Sequence, residues 1–181
     1  MTTPRRTGAT MYVLAAIGLV ALLTMLFSGI LDQQRNPNQV VNTRISNDGA
    51  TSISLKRNRM GHYVVSGTIN GYPAEFLLDT GATAVSVSTD VARHAGLRRG
   101  ASITASTANG ITTAYATRIA EISIGGIQQH DIAASIAPNL PDDQVLLGMS
   151  FLKRLDFSQR GDTLVLKIPG HPEPAVPRDR D

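Results

Sequence analysis

The longest apolar run in the chain lies near its N-terminus. Residues 11–31, with the sequence MYVLAAIGLVALLTMLFSGIL, contain no charged side chain. At about 1.5 Å per residue, a helix of this length spans roughly 31 Å, close to the hydrocarbon thickness of a bilayer. The pattern therefore predicts one transmembrane helix over 11–31, preceded by an N-terminal tail at 1–10.

A cleaved signal peptide is the alternative interpretation of this run. Signal peptides have apolar regions of about 7–15 residues and end in a small-residue cleavage site, which LFSGILDQQ matches poorly. An uncleaved membrane anchor is therefore favoured. Arg5 and Arg6 favour a cytoplasmic N-terminus, although Arg35 and Arg44 follow the run and nearly balance them. We expect the rest of the chain outside the cytoplasm, in the periplasm if the source is a Gram-negative bacterium.

Two polar segments frame the remaining sequence. Residues 32–50 are rich in Asn and Gln and contain Pro37, a composition typical of a linker. Residues 169–181 carry four prolines in thirteen positions, which predicts a disordered tail. The folded domain is therefore expected over 51–168, where we find no internal repeat.

Within 51–168, short runs of alternating apolar and polar residues indicate β-strands. HYVVSGTI and YPAEFLL are two such runs, and the stretch from 101 to 124 is typical of a long hairpin. AVSV, IQQHDIAASIA and QVLL are further candidate strands, and DFSQRGDTLVLKI is typical of a closing hairpin. Glycine-containing pairs predict the turns between them: Asn70-Gly71, Asn109-Gly110 and Gly125-Gly126.

Two short helices are predicted between the strands. Ser88 can cap the N-terminus of STDVARHAG, and Gly96 can end that helix in a left-handed conformation. A second helix follows Gly148, where Ser150 could provide the cap. Many short strands, glycine turns and one or two short helices favour an all-β, single-lobe closed barrel.

Composition excludes several classes of function. The chain has 17 Lys and Arg against 14 Asp and Glu, with few aromatic residues and no basic stripe, so we expect no nucleic-acid partner. It has no cysteine, so a thiol nucleophile and a disulfide framework are both excluded. The histidines do not stand at metal-ligand spacings, and we expect neither a metal site nor a cofactor: His62, His94, His130 and His171.

The stretch AEFLLDTGATAVSVS contains an unusual feature, an aspartate directly after an apolar run. Aspartate is disfavoured in strands, and an unpaired buried charge is costly. Either the strand ends at Leu78 and Asp79 begins an ordinary turn, or Asp79 is held in a cleft for chemistry. The glycine at 81 allows a tight turn and close backbone approach, and the hydroxyl of Thr80 could tie the loop to another backbone.

The chain resembles the retropepsin-like aspartic proteases of the pepsin clan, over about residues 60–168. Leu77 to Ala82, LLDTGA, is similar to the active-site loop of that family. The hairpin around Asn109-Gly110 corresponds in order to its flap, which covers the substrate. Val145 to Gly148, VLLG, followed by a short helix, is similar to the apolar segment beneath the active-site loop. The apolar N-terminal run resembles a bacterial, membrane-anchored branch of the family.

The resemblance implies an aspartic endopeptidase in which two carboxylates flank one water molecule. The chain has one Asp-Thr-Gly, and its other aspartates fit turns or solvated positions. The second carboxylate would therefore be Asp79 of another copy in a twofold homodimer. Thr80 would brace the two loops, Gly81 would let them approach, and Ala82 would complete the loop.

The resemblance also implies the substrate and the supporting residues. An extended polypeptide would bind between the carboxylates and the flap, whose tip would be Asn109, Gly110 and Ile111. Leu147 and Gly148 would support the active-site loop from below. A peptide-binding module with little or no hydrolysis is the alternative on the same fold. A membrane-held scaffold is a third hypothesis, but it leaves the Asp79 loop unexplained.

Overall fold

The computed structural model describes residues 4–47, 49–107, 110–141 and 143–169. Three helices and eleven strands lie in these ranges. The helices are α1 (Pro4–Arg35), α2 (Thr89–His94) and α3 (Met149–Leu152). The strands are β1 (Thr43–Ile45), β2 (Thr51–Lys56), β3 (Val64–Ile69), β4 (Tyr72–Leu78), β5 (Val85–Val87), β6 (Ser102–Thr107), β7 (Gly110–Ile124), β8 (Ile127–Ile136), β9 (Gln144–Leu147), β10 (Asp156–Arg160) and β11 (Thr163–Lys167).

Helix α1 contains the apolar run that the sequence analysis identified. Its segment Thr10–Arg35 is long and apolar enough to cross a membrane, and its most apolar window has no residue buried against the rest of the structure. Signal sequences near an N-terminus have the same property. The large apolar side chains of this helix are exposed, from Met11 to Leu31, which suits a segment with a lipid environment.

Strands β3 to β9 form the larger of two sheets. Their order is β3-β4-β9-β5-β8-β7-β6, and β3 also pairs with β7 through Thr68 with Ser123 and Ile69 with Ile122. This last pairing closes the sheet, which confirms the predicted all-β barrel. Two parallel pairs, β4 with β9 and β5 with β8, bring strands that are distant in sequence side by side.

A second sheet of four strands, in the order β1-β2-β11-β10, packs against the barrel. The buried faces of both sheets carry mainly Ile, Leu and Val together with Phe76, and Phe151 of α3 joins the same core. Because a strand exposes alternate residues to opposite faces, β11 buries Leu164 and Leu166 while Val165 is only half-buried. The core is thus the space enclosed by the barrel and covered by the second sheet.

The predicted turn and cap at the ends of β3 and α2 are confirmed. Asn70 and Gly71 have φ angles of 51° and 81°, as a two-residue hairpin turn requires. The Ser88 side chain caps α2 by accepting a hydrogen bond of 3.1 Å from the backbone N–H of Val91. Gly96 follows the helix with φ of 69°, the left-handed conformation that ends many helices.

The prediction that Ser150 caps the second helix is wrong. Helix α3 begins at Met149, and Gly148 is its N-cap residue without any side-chain cap. Ser150 lies inside the helix, and its Oγ accepts a hydrogen bond of 2.9 Å from the backbone N–H of Val85. The residue therefore uses its hydroxyl to hold a neighbouring segment rather than its own helix.

The segment 32–50, predicted as a linker, is joined to the folded domain by specific contacts, although most of its described residues are exposed. Helix α1 continues to Arg35, and β1 pairs with β2. Asn36 and Asn38 are buried, with exposed fractions of 0% and 4%. Their amide groups make hydrogen bonds to distant parts of the chain, so a polar composition that is typical of a linker here serves an ordered segment.

Strands β7 and β8 change the face that they bury at Ala120 and Asp131. In simple alternation, buried residues of a strand are two positions apart. Here the neighbouring buried residues are three apart: Ile119 and Ile122 in β7, and Gln129 and Ile132 in β8. Asp131 has φ of 53° there. The Arg118 guanidinium donates a hydrogen bond to its carboxylate at 2.6 Å and holds the pKa of Asp131 below its ordinary value.

Candidate active site

Asp79 is the first residue after β4, as the sequence predicted. Strand β4 is central in the barrel, between β3 and β9, so its position is fixed on both sides. The backbone N–H of Asp79 donates a hydrogen bond of 3.2 Å to the carbonyl of Leu147 at the end of β9. The carboxylate is only half-buried and therefore keeps access to solvent. The strand thus ends with a carboxylate that solvent can reach.

The residues after Asp79 form a tight loop around its carboxylate. Asp79 Oδ1 accepts a hydrogen bond of 2.9 Å from the backbone N–H of Gly81, and its carbonyl accepts one of 3.2 Å from Ala82. Thr80 and Gly81 are exposed. The loop therefore orients the carboxylate from within while leaving the Thr-Gly pair on the surface.

Strand β9 and helix α3 support this loop from the other side. The backbone N–H of Met149 donates to the carbonyl of Ala82 at 2.8 Å, and that of Ser150 donates to Thr83 at 3.0 Å. Leu147 is fully buried beneath the loop. Support from Leu147 and Gly148 is expected from the sequence, whereas the backbone donors of α3 are not. Their signal in the sequence is a helix that starts directly after an apolar-apolar-glycine segment.

Gly148 occupies a position with no room for a side chain. A Cβ built on it would lie 2.3 Å from the carbonyl oxygen of Ala84 and 2.7 Å from that of Ala82. Both atoms belong to the backbone of the loop that follows Asp79, so a larger residue can be accommodated only if this backbone moves.

Replacing Gly148 with alanine is expected to displace the Asp79 loop and to lower any activity that depends on it. Overpacking of this kind costs about 1–3 kcal/mol of stability. A shift of about 1 Å in catalytic groups can lower a rate roughly 100-fold. The measurement is peptide hydrolysis and thermal unfolding of Gly148→Ala beside Gly18→Ala, since a new Cβ at Gly18 would meet no atom within 4 Å apart from the backbone of its own helix. Equal activity of the two variants would contradict the prediction.

The hairpin that the sequence analysis assigned as a flap consists of β6 and the first part of β7. The pairing runs from Ser102 with Tyr115 to Thr107 with Gly110. Gly110 has φ of 107°, and Ile111 is 80% exposed near the end of the hairpin. Asn109 lies outside the described residues. The hairpin thus presents an apolar side chain to solvent rather than to the core.

The described part of the chain brings no second carboxylate into the hydrogen bonds of the Asp79 loop. Asp143 and Asp162 form ion pairs with Arg35 and Arg57 instead. Asp156 is exposed at the start of β10. Asp48 and Asp142 lie outside the described residues. In the described ranges, no group of three or more His, Asp or Glu side chains is arranged to hold a metal ion.

These features together define a class of protein. A closed barrel places Asp-Thr-Gly at the end of a central strand, braces it with a buried apolar-apolar-glycine segment, and adds an exposed hairpin. This combination of a fold and a loop is that of the aspartic protease class.

Comparisons with known proteins agree with this class. Residues 65–154 match the sequence profile described as "gag-polyprotein putative aspartyl protease". A crystal structure of a retropepsin-like aspartic protease from Rickettsia conorii is similar, with 28% identity and a TM-score of 0.56. The similarity covers 71% of this chain and 95% of that one. The chain belongs to the retropepsin-like aspartic protease family.

Two further similarities have either a lower structural agreement or a match to only part of the relative. The protease of EIAV is 22% identical over 55% of this chain and 92% of its own, with a TM-score of 0.45. A Sinorhizobium protein described as "Uncharacterized protein in cobV 5'region" is 36% identical over 124 residues, 66% of this chain. The match spans only 53% of that relative's length.

Proposed function

We propose that the protein is a membrane-anchored aspartic endopeptidase that acts as a homodimer, with Asp79 of each subunit in one catalytic dyad. The observation that carries the proposal is the half-buried Asp79 carboxylate, fixed by Gly81 N–H at the end of a central strand. A binding surface would not require a carboxylate at this position. Membership of a protease family supports the same reaction.

The proposed reaction is hydrolysis of a peptide bond by a water molecule held between two carboxylates. Because two close carboxylates do not both ionise readily, the pair shares one proton. The ionised carboxylate accepts a proton from the water as the water oxygen attacks the carbonyl carbon. The protonated carboxyl donates its proton to the carbonyl oxygen as negative charge develops there, which gives a tetrahedral intermediate with two hydroxyls. The C–N bond of this intermediate then breaks: the departing nitrogen takes the proton that the first carboxylate accepted, and one hydroxyl returns a proton to the second carboxylate as the new carbonyl forms. No metal or cofactor is required for these steps.

A homodimer supplies the second carboxylate by symmetry. In a twofold interface the same loop of both subunits meets at the axis, so Asp79 would face Asp79 of the partner subunit. The exposure of Thr80 and Gly81 supports this arrangement, because both residues are accessible to a second loop. Glycine would allow the backbones to approach, and the threonine hydroxyl could donate a hydrogen bond across the axis.

The proposed substrate is an extended segment of polypeptide. A strand-like peptide could lie between the dyad and the β6–β7 hairpin, with main-chain hydrogen bonds providing most of its affinity. The exposed Ile111 near the hairpin end would contact it from above. Anchoring through residues 11–31, with the N-terminus in the cytoplasm and the barrel outside it, would confine the reaction to the membrane surface.

The proposed dimer predicts that activity depends on protein density in the membrane. We expect hydrolysis of an unstructured peptide by the full-length protein in vesicles to fall more steeply than linearly as the lipid-to-protein ratio is raised. The reason is that dilution in the membrane favours dissociation of the dimer, which separates the two Asp79 carboxylates. The measurement is specific activity over a series of ratios, with crosslinking to record the dimer fraction.

Two outcomes of this dilution experiment contradict the proposal. Constant specific activity while the crosslinked dimer disappears would show that one subunit is sufficient. A dimer that binds peptides but cleaves none in a diverse library would favour a peptide-binding module on the same fold.

A further inference from the structure

The barrel is attached to α1 without a flexible spacer. The last apolar residue of the run is Leu31, and α1 continues as a helix to Arg35. The next residue, Asn36, is fully buried, and its Nδ2 donates to Ser66 Oγ and to Glu75 Oε1, both at 2.9 Å. Only about one helical turn therefore separates the apolar run from the folded domain.

One loop of the barrel contacts the end of this helix. Residues 57–61, which we call the RNRMG loop, connect β2 to the segment before β3. Asn58 Nδ2 donates to the carbonyl of Arg35 at 2.9 Å, and Arg59 donates to Gln34 Oε1 at 3.1 Å. The loop is thus held beside the helix at the point where the helix enters the domain.

The height of the RNRMG loop above a bilayer follows from these contacts. Gln34 lies three residues beyond Leu31, or about 4.5 Å along the helix axis. The headgroup layer on each side of the hydrocarbon core is roughly 5–8 Å thick. If α1 crosses the membrane, Gln34 and the loop that contacts it lie at headgroup level.

Hydrogen bonds within the RNRMG loop hold it in one defined conformation. Asn58 Oδ1 accepts hydrogen bonds from the backbone N–H groups of Met60 at 3.0 Å and His62 at 2.9 Å. Gly61 has φ of 86°, which favours glycine at this position. These constraints fix the direction in which the loop projects.

The side chains at the tip suit a phospholipid surface. Met60 is 76% exposed although it is large and apolar. Arg59 is exposed beside it and has no carboxylate partner at salt-bridge distance among the described residues, whereas Arg57 is paired with Asp162 at 3.7 Å. An apolar tip beside a guanidinium that lacks a carboxylate partner is the pattern of interfacial anchors, in which the cation contacts phosphate and the apolar group enters the acyl boundary.

We infer that the RNRMG loop rests on the membrane, with Met60 inserted at the headgroup boundary and Arg59 bound to lipid phosphate. The inference depends on the anchoring under the proposed function. It also orients the barrel. The backbone N–H of Leu78 donates to the carbonyl of Tyr63 at 3.0 Å, so β4 ends, and Asp79 begins, at the loop's end of the barrel.

The test uses the absence of cysteine in the natural chain, which allows single-site labelling. Full-length Met60→Cys, Leu22→Cys and Gln128→Cys are labelled with one environment-sensitive fluorophore. They are reconstituted in phosphatidylethanolamine–phosphatidylglycerol vesicles that carry spin-labelled lipids. Gln128 is an exposed control whose strand partner Ser123 pairs with Thr68, at the far end of β3. Leu22 reports whether α1 is inserted.

We expect strong quenching at Met60 and Leu22 and several-fold weaker quenching at Gln128. Adding Arg59→Glu to Met60→Cys should reduce quenching at the tip, because a carboxylate is repelled by lipid phosphate. Quenching at Leu22 without quenching at Met60 would overturn the loop inference while leaving the anchor intact. Equal quenching at Met60 and Gln128, or an unchanged signal with Arg59→Glu, would also overturn it. No quenching at Leu22 would overturn the anchor and the inference together.

Discussion

Replacing Asp79 with asparagine is expected to abolish peptide hydrolysis while leaving the fold intact. Asparagine has nearly the same shape, and its Oδ1 can still accept the hydrogen bond from Gly81 N–H. It cannot accept a proton from water or donate one as an acid, and such proton transfers contribute roughly 10²–10⁴-fold to a rate. The measurement is kcat/KM for an unstructured peptide, with thermal unfolding recorded on the same preparations.

Asp156→Asn is the matched control for this prediction. Asp156 is an exposed carboxylate on β10, and its replacement also removes one negative charge. We expect its activity to equal that of the natural chain. Comparable activity of Asp79→Asn and Asp156→Asn would contradict the assignment of Asp79.

Mixed dimers provide a second, independent test of the Asp79→Asn substitution. If natural and Asp79→Asn chains are reconstituted in equal amounts and pair at random, about one quarter of the dimers carry two Asp79 residues. We therefore expect total activity of about one quarter of that of the same amount of natural chain. A value of about one half would mean that each subunit acts alone. The oligomeric state is checked by crosslinking in the same vesicles.

The features that the sequence predicted well are those encoded by neighbouring residues. The turn at Asn70-Gly71 and the cap at Ser88 depend on conformations that these residue types adopt locally. The closed barrel was predicted from the number of short strands together with the resemblance around Asp79. The strand pattern and the resemblance support the same barrel, because the resemblance also implies the order of the elements along the chain.

The features that the sequence did not predict arise from contacts between distant residues. Ser150 has the pattern of a cap, yet its hydroxyl is used by Val85, 65 positions away. The face switch in β8 occurs at Asp131, where a single left-handed residue interrupts the alternation. Local pattern gives no information on either, since each depends on which strands become neighbours in the closed barrel.

The segment 32–50 is the clearest example of this limit. Its Asn and Gln content is usual for solvated linkers, where amides bond to water. Here the amide of Asn38 bonds to the backbone where β2 ends and β3 begins. Oδ1 accepts from Lys56 N–H at 2.7 Å, while Nδ2 donates to the carbonyls of Lys56 at 2.9 Å and Val64 at 2.7 Å. One side chain thus satisfies three main-chain groups of the barrel.

Replacing Asn38 with alanine is therefore expected to destabilise the barrel by about 3 kcal/mol. Each buried polar group left without a partner costs roughly 1–3 kcal/mol, and the costs of neighbouring groups are not fully additive. The matched control is Asn42→Ala, an exposed asparagine four residues along the same segment, which should change stability by less than about 0.5 kcal/mol. The measurement is urea unfolding of the full-length variants in detergent, followed by proteolytic susceptibility of the barrel.

By the same reasoning, a fragment that begins at residue 46 should unfold more readily than one that begins at residue 33, since only the longer fragment retains Asn36 and Asn38. Equal stability of the two fragments would mean that 32–50 behaves as a linker after all, and the barrel would then be free to move relative to its membrane helix.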